Sequence, residues 1–311
     1  MGRSLGGRSA SASLRAVAVV AAMIMVAGCA RSTPVTAADL PSVAPYTTGS
    51  TAPLPSQPSP TPTPTVSPTP TPPPKPVDPL AGVSAKTRKA FKPCLTKAVG
   101  PGGGGKCARL VLKTLKSAHY YRWGIASRIN TAGVNAILNY QRSRGLTATG
   151  IVKKATWVAL ATKARALPNV LPKKCTTGKG IILCVDQAHR KLSWIRNGKV
   201  IKTFTVRLGG WNYHPKTKKW KVFATANGTW KVYDKQVDPP SENYGHGAMP
   251  YATIFYPDMY VHYSPGFHAM GYATSSHGCV NIGKLSQAMW IFKHTPIGAR
   301  VHIFSPKAKS A

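Results

Sequence analysis

From residue 107 onward the chain alternates between two hydrophobic periods. Leu110, Val111 and Leu115 recur at helical spacing within 107–117, and Val134, Ile137, Leu138 and Gln141 do so within 133–143. Trp157, Leu160 and Ala161 share one face of a third stretch, 154–163. Apolar positions three and four apart line one side of a helix. These stretches predict a small three-helix bundle over about 84–165. The four-glycine run from Gly102 to Gly105 predicts a loop ahead of the 107–117 stretch.

Beyond residue 176 the pattern becomes that of strands. Apolar and β-branched runs occupy 180–185, 191–196 and 200–206, and Asn197-Gly198 between the last two predicts a tight hairpin. Further runs lie at 230–233, 253–256, 260–263 and 299–304. Leu285, Ala288, Met289 and Phe292 return to helical spacing. Many short strands with one or two helices predict a mainly antiparallel, β-sandwich-like domain over 176–305. The chain therefore reads as an α+β multidomain protein.

The first 83 residues follow neither period. Residues 1–15 hold three Arg and no acid, and 16–27 are apolar throughout. This is the order of an export signal whose apolar run is too short to span a bilayer. It ends in Val26-Ala27-Gly28-Cys29, which resembles a bacterial lipobox and implies removal of 1–28 and a lipid on Cys29. Ordinary secretion with a chance cysteine is the other reading. Residues 29–83 read as a linker, because 13 of the 27 residues from Pro53 to Pro79 are proline. Such a run favours a stiff polyproline II spacer.

Charge narrows the partners. The chain carries 42 Lys and Arg against 7 Asp and Glu, a net charge of +35. A field of this size holds a protein against a polyanion. Export makes nucleic acid a poor partner, and no nucleic-acid reader motif is present. Anionic wall polymers and the membrane to which Cys29 would anchor the chain remain.

The six cysteines are Cys29, Cys94, Cys107, Cys175, Cys184 and Cys279. With Cys29 lipidated and Cys279 kept free, four remain for disulfides in an oxidising compartment. Four allow three connectivities; the expected one pairs sequence neighbours, Cys94 with Cys107 and Cys175 with Cys184.

The residues that carry chemistry concentrate at 262–282. A cysteine needs a base or a positive field to become a nucleophile, and an acyl-transfer centre needs donors for the oxyanion. Cys279 supplies the thiol, and His262 and His277 supply imidazoles. Gly278 permits close approach and unusual backbone angles, with the Gly278 and Cys279 amides as candidate donors. Zinc binding by His262, His268, His277 and Cys279 is the competing reading, but the spacing matches no common zinc pattern. No metal or other cofactor is expected. Asp234, Asp238, Glu242 and Asp258 read as a loop cluster, and as a negative patch for an incoming amine in the alternative. Trp211, Tyr213, Trp220, Trp230, Tyr233 and Tyr244 read mainly as sheet packing.

Two resemblances rest on these residues. Tyr140-Gln141, Gly145-Leu146, Gly150 and Thr156 followed by Ala159-Leu160 resemble the three-helix peptidoglycan-binding module. Tyr140 stands where that family has Phe, and Lys153-Lys154 where it has Gly-Pro. Ser276-His277-Gly278-Cys279-Val280-Asn281 after His262, with Thr295-Pro296-Ile297-Gly298 downstream, resembles the L,D-transpeptidase (YkuD-type) catalytic domain. Tyr263 departs from the Gly that many members carry after the upstream His. Thr225-Ala226-Asn227-Gly228 replaces the usual Thr-Pro-x-Gly.

The second resemblance implies Cys279 as nucleophile and His262 as general base. Tyr263 or Ser264 would hold the second imidazole nitrogen. His277, Gly278 and Cys279 would line the oxyanion hole, Ser276 would complete the catalytic loop and Asn281 would buttress it. Tyr251 joins Tyr263, Ser264 and Asn281 as expected substrate-binding residues. The implied reaction cross-links peptidoglycan stem peptides through a Cys thioester, releasing terminal D-alanine from a tetrapeptide, with carbapenems acylating the same thiol. The alternatives are an L,D-carboxypeptidase using water, and a non-catalytic wall-anchoring lipoprotein with an inert Cys279. The expected location is outside the cytoplasm, on the membrane, facing the wall.

Overall fold

The computed structural model describes residues 77–306. The expected signal segment 1–28, Cys29 and most of the expected linker lie outside the described residues. The linker's expected end at residue 83 moves earlier. Leu80 is buried in the helical core and Asp78 pairs with Arg88, so the packed chain begins before residue 83.

The helical region contains α1 (Ala85–Phe91), α2 (Gly105–Ser117), α3 (Thr131–Ser143) and α4 (Lys154–Ala161). The three predicted stretches are α2, α3 and α4, and α1 is a fourth, so the expected three-helix bundle is corrected. Only Phe91 of α1 is buried, which leaves no apolar stripe to read. Side chains open two of the helices: Ser84 Oγ accepts from the Thr87 amide at 3.3 Å, and Asn130 Oδ1 accepts from Gly133 at 2.9 Å. Val111, Leu112, Leu115, Val134, Ile137 and Trp157 share one core. Each large apolar side chain buried there contributes roughly 2–3 kcal/mol. The Trp157 indole also donates to the Lys97 carbonyl at 2.8 Å, and the Cys94–Cys107 disulfide closes the segment leading into α2.

A short helix, α5 (Lys173–Thr176), leads into β1 (Ile181–Asp186), β2 (Lys191–Arg196) and β3 (Lys199–Arg207). Asn197 and Gly198 take φ of 49° and 78°, the signs a two-residue hairpin turn requires. β4 (Trp211–His214) and β5 (Lys219–Val222) form a separate hairpin. There follow β6 (Gly228–Lys231), β7 (Asp234–Gln236), β8 (Ala252–Tyr256), β9 (Met259–Tyr263), α6 (Pro265–Met270), β10 (Val280–Ile282), α7 (Leu285–His294) and β11 (Arg300–Phe304).

The expected sandwich-like arrangement is corrected, while the mainly antiparallel pairing is observed. The strands form one nine-stranded sheet in the order β6-β11-β1-β2-β3-β10-β9-β8-β7. Two pairings are parallel, β1 with β11 and β9 with β10; the others are antiparallel. The sheet curls until Trp230 on β6, at one edge, lies 5.8 Å from Phe255 on β8, next to the other. Curling lets one sheet enclose its own core, so no second sheet is needed. Leu183, Trp194, Phe204, Val261 and Val280 fill it together with Ala288 and Ile291 of α7. On the other face of β1, Ile182 and Cys184 meet Cys175 and Ile195, where the Cys175–Cys184 disulfide ties α5 to the sheet. Both disulfides join the sequence neighbours expected.

Candidate active site

The pairing of three strands places three polar side chains in one row. Asn281 on β10 is in register with His262 on β9 and with Arg207 on β3. All three are buried, at 3%, 4% and 6% exposure. Cys279 immediately precedes β10 and opens onto the same cleft as these three.

Hydrogen bonds along the row fix its protonation. Arg207 donates to Asn281 Oδ1 through Nε at 3.1 Å and Nη2 at 3.0 Å. The carboxamide oxygen thus faces the guanidinium, and Nδ2 donates to His262 Nε2 at 2.8 Å. Nε2 is then the acceptor, and Nδ1 carries the proton that it donates to the Tyr263 carbonyl at 2.6 Å. Burial pushes the His262 pKa down to about 4, with the Arg207 charge adding to the effect and the Tyr263 carbonyl opposing it.

Cys279 is unpaired and buried. Its Sγ donates to the Asp258 carbonyl at 3.6 Å. Burial raises the thiol to about 11, a Tyr260 backbone bond pulls it down and the Asp258 charge raises it further. The resting site therefore holds a neutral thiol and a neutral imidazole, not an ion pair.

Short bonds hold the loop from Ser276 to Cys279. Ser276 Oγ donates to the Cys279 carbonyl at 2.6 Å and accepts from the Gly278 amide at 3.1 Å. One of the three expected oxyanion donors is thus held by Ser276. Gly278 has φ of +123°, and a Cβ there would sit 3.2 Å from the Ala224 carbonyl, so only glycine fits without strain. Thr225 Oγ1 donates to the Gly278 carbonyl at 2.8 Å and accepts from Gly209 at 2.9 Å. The Ser276 amide donates to Leu208 O at 3.1 Å.

These residues open onto a cleft of about 1000 Å³. Cys279, His262, Ser276, His277, Ser264 and Asn281 all line it. The His277 ring faces the rim: Nε2 lies 2.7 Å from the Tyr213 carbonyl, and the ring meets Phe223 edge-on at 4.4 Å. Ser264 Oγ is already engaged, accepting from the Phe267 amide at the start of α6 and from Arg207 Nη2. Tyr263 contributes its carbonyl, while its ring packs on the core. The Tyr251 ring lies 5.7 Å from Phe292 and, like Tyr263, Tyr251 is not among the residues lining the cleft. Asp258 and Glu242 line the cleft, and Glu242 pairs with Lys216 at 2.6 Å. Among the described residues no three His, Cys, Asp or Glu side chains converge as metal ligands would.

Sequence reasoning missed Arg207, which lines the cleft and uses Nη1 to reach Thr274 at 2.7 Å. Its burial without an acidic partner draws its pKa down to about 10. A basic residue at the end of an exposed-looking strand carries no signal in so basic a chain. Thr225 was visible only as part of the altered Thr225-Ala226-Asn227-Gly228 segment.

Comparison with known proteins adds a family likeness. Residues 180–303 match the family model of the L,D-transpeptidase catalytic domain, YkuD. A search of curated proteins gave no match. Among solved structures, an L,D-transpeptidase from Xylanimonas cellulosilytica is 21% identical, covering 66% of this chain and 96% of its own, at a TM-score of 0.36. One from Stackebrandtia nassauensis is 23% identical, covering 69% and 96%, at 0.37. An L,D-transpeptidase from Mycobacterium smegmatis is 23% identical, covering 41% and 60%, at 0.32.

Proposed function

We propose that the cleft is the acyl-transfer site of a peptidoglycan L,D-transpeptidase. One observation carries this reading: Cys279, the only unpaired cysteine among the described residues, shares a cleft with an imidazole whose Nε2 carries no proton and accepts from the Asn281 amide. The family match over 180–303 supports it.

The course follows from the groups present. Sγ of Cys279 attacks the carbonyl carbon of the third residue of a tetrapeptide stem. With burial pushing the imidazole down and the thiol up, the resting proton stays on sulfur. Deprotonation therefore accompanies attack, and Nε2 exchanges the Asn281 amide for the thiol proton. With the Gly278 amide held by Ser276, the His277 and Cys279 amides are the loop donors available to the developing oxyanion. The bond to the terminal D-alanine breaks, and the imidazolium returns the proton to the leaving amine. A side-chain amine of a second stem then attacks the thioester, giving its proton to Nε2. Sulfur leaves, regains that proton, and a cross-link remains. A carbapenem would acylate the same sulfur.

The setting is part of the proposal. The apolar run 16–27, the Cys29 motif and two disulfides support an exported lipoprotein facing the wall. The net charge of +35 supports adhesion to anionic wall polymers, and the Tyr140-Gln141 pattern supports wall binding by the helical region.

Mass spectrometry of products from a defined tetrapeptide stem tests the reading. Cross-linked dimers and free D-alanine are expected from the unaltered chain and from no Cys279→Ala sample. Free D-alanine without dimers would assign a carboxypeptidase instead.

A further inference from the structure

Helix α3 touches the nucleophile loop's support at two points two turns apart on one helix face. The fully buried Asn135 uses both ends of its carboxamide on one residue of the β-rich region. Nδ2 donates to the Trp211 carbonyl at 3.1 Å, and Oδ1 accepts from the Trp211 amide at 2.9 Å. Arg142 Nη2 donates to the Gly209 carbonyl at 2.7 Å. Trp211 and Ala273, from either side of the loop's support, pack against the helical core.

The segment so gripped, 208–212, is the same one that carries the nucleophile loop. Leu208 O receives the Ser276 amide, Asn212 Nδ2 donates to Ser275 O at 2.8 Å, and Ser275 Oγ donates to Trp211 O at 3.1 Å. Gly209 reaches Gly278 through Thr225. There is no slack in this stack. A Cβ on Gly210 would lie 2.7 Å from Asn135 Oδ1 and 2.9 Å from Ser275 Cβ. The helix, the segment and the loop are in contact through a residue without a side chain.

We propose that α3 is a support behind the acyl-transfer site, and that Asn135 and Arg142 are positioning residues that set the placement, and hence the reactivity, of Cys279. The inference rests on the reading of the cleft given above. It assigns the helical region a part in the chemistry that a tethered wall-binding module would not have.

The test uses the full chain, with alkylation of Cys279 by iodoacetamide followed across pH by peptide mapping, alongside D-alanine release from a soluble tetrapeptide. Loosening the loop admits water to the thiol, so its alkylation midpoint should fall from about 11 toward the ordinary 9. D-alanine release should slow by at least about tenfold, since small misplacement of reacting groups is costly. Asn135→Ala and Gly210→Ala should both do this, the second without removing a polar group. Asn135→Asp, which keeps the acceptor for Trp211, should fall between. Arg142→Lys should retain most of the wild-type behaviour and Arg142→Gln should not. Val111→Ala weakens the helical core without touching 208–212 and should leave the midpoint in place. If Asn135→Ala does not fold, the Gly210 and Arg142 variants decide. Folded variants with unchanged midpoint and unchanged turnover would overturn the proposal. Absence of D-alanine release in the unaltered chain would refute the reaction, while the alkylation arm would still judge the positioning role.

Discussion

Asn281 donates its side-chain amide to Nε2 of His262 at 2.8 Å, across two parallel strands. Its oxygen is held by Arg207, so the amide cannot turn around without losing two charge-assisted bonds. Burial keeps the His262 imidazole neutral, and Asn281 holds it in one tautomer.

Asn281→Asp should reverse that control. A carboxylate beside the imidazole favours its charged form and also offsets the Arg207 charge, so the His262 pKa should rise from about 4. An NMR titration of the imidazole reads this directly. A value that stays put or falls would mean the row does not govern the base.

Stability should depend on pH at both ends of the scale. The folded His262 pKa lies below the ordinary 6.5, so the unfolded chain binds the proton first as pH falls. The stability from burying it neutral is complete above about 6.5 and is lost between there and about 4. Cys279 works in the opposite sense. Its thiol is raised from 9 to about 11, so the unfolded chain loses the proton first and stability falls as pH rises through that window. Each limb is worth about 3 kcal/mol. Urea unfolding across pH should show a plateau between them, and Cys279→Ala should reduce the alkaline limb and leave the acid one in place.

Thr225→Val should leave the Gly209 amide and the Gly278 carbonyl without their buried partner. The cost should be about 3 kcal/mol, measured by urea denaturation, with slower acyl transfer. Thr225→Ser keeps the hydroxyl and should recover most of both. Equal behaviour of the two variants would remove Thr225 from the loop's support.

What could be read in the sequence follows from how local its cause is. The β2–β3 hairpin was legible because Asn197-Gly198 encodes the turn by itself. β10 was hidden because its three residues adjoin or sit inside the Ser276–Asn281 motif, which masks a strand pattern. β4 and β5 were missed because Tyr213 and Trp220 are exposed, leaving no inward alternation. The single curled sheet depends on the pairing of β1 with β11, residues more than a hundred positions apart, and no local pattern announces it. At the site, the loop from Ser276 to Cys279 was visible as a motif. Arg207 and Asn135 were not, because a buried polar residue with backbone or amide partners looks, in sequence, like a solvated one.

Intact mass and peptide mapping after incubation with a carbapenem test the central claim most directly. One adduct per chain, placed on Cys279 and absent from Cys279→Ala, is the predicted result. No adduct on folded protein, or an adduct that survives Cys279→Ala, would contradict the assignment of this thiol as the nucleophile.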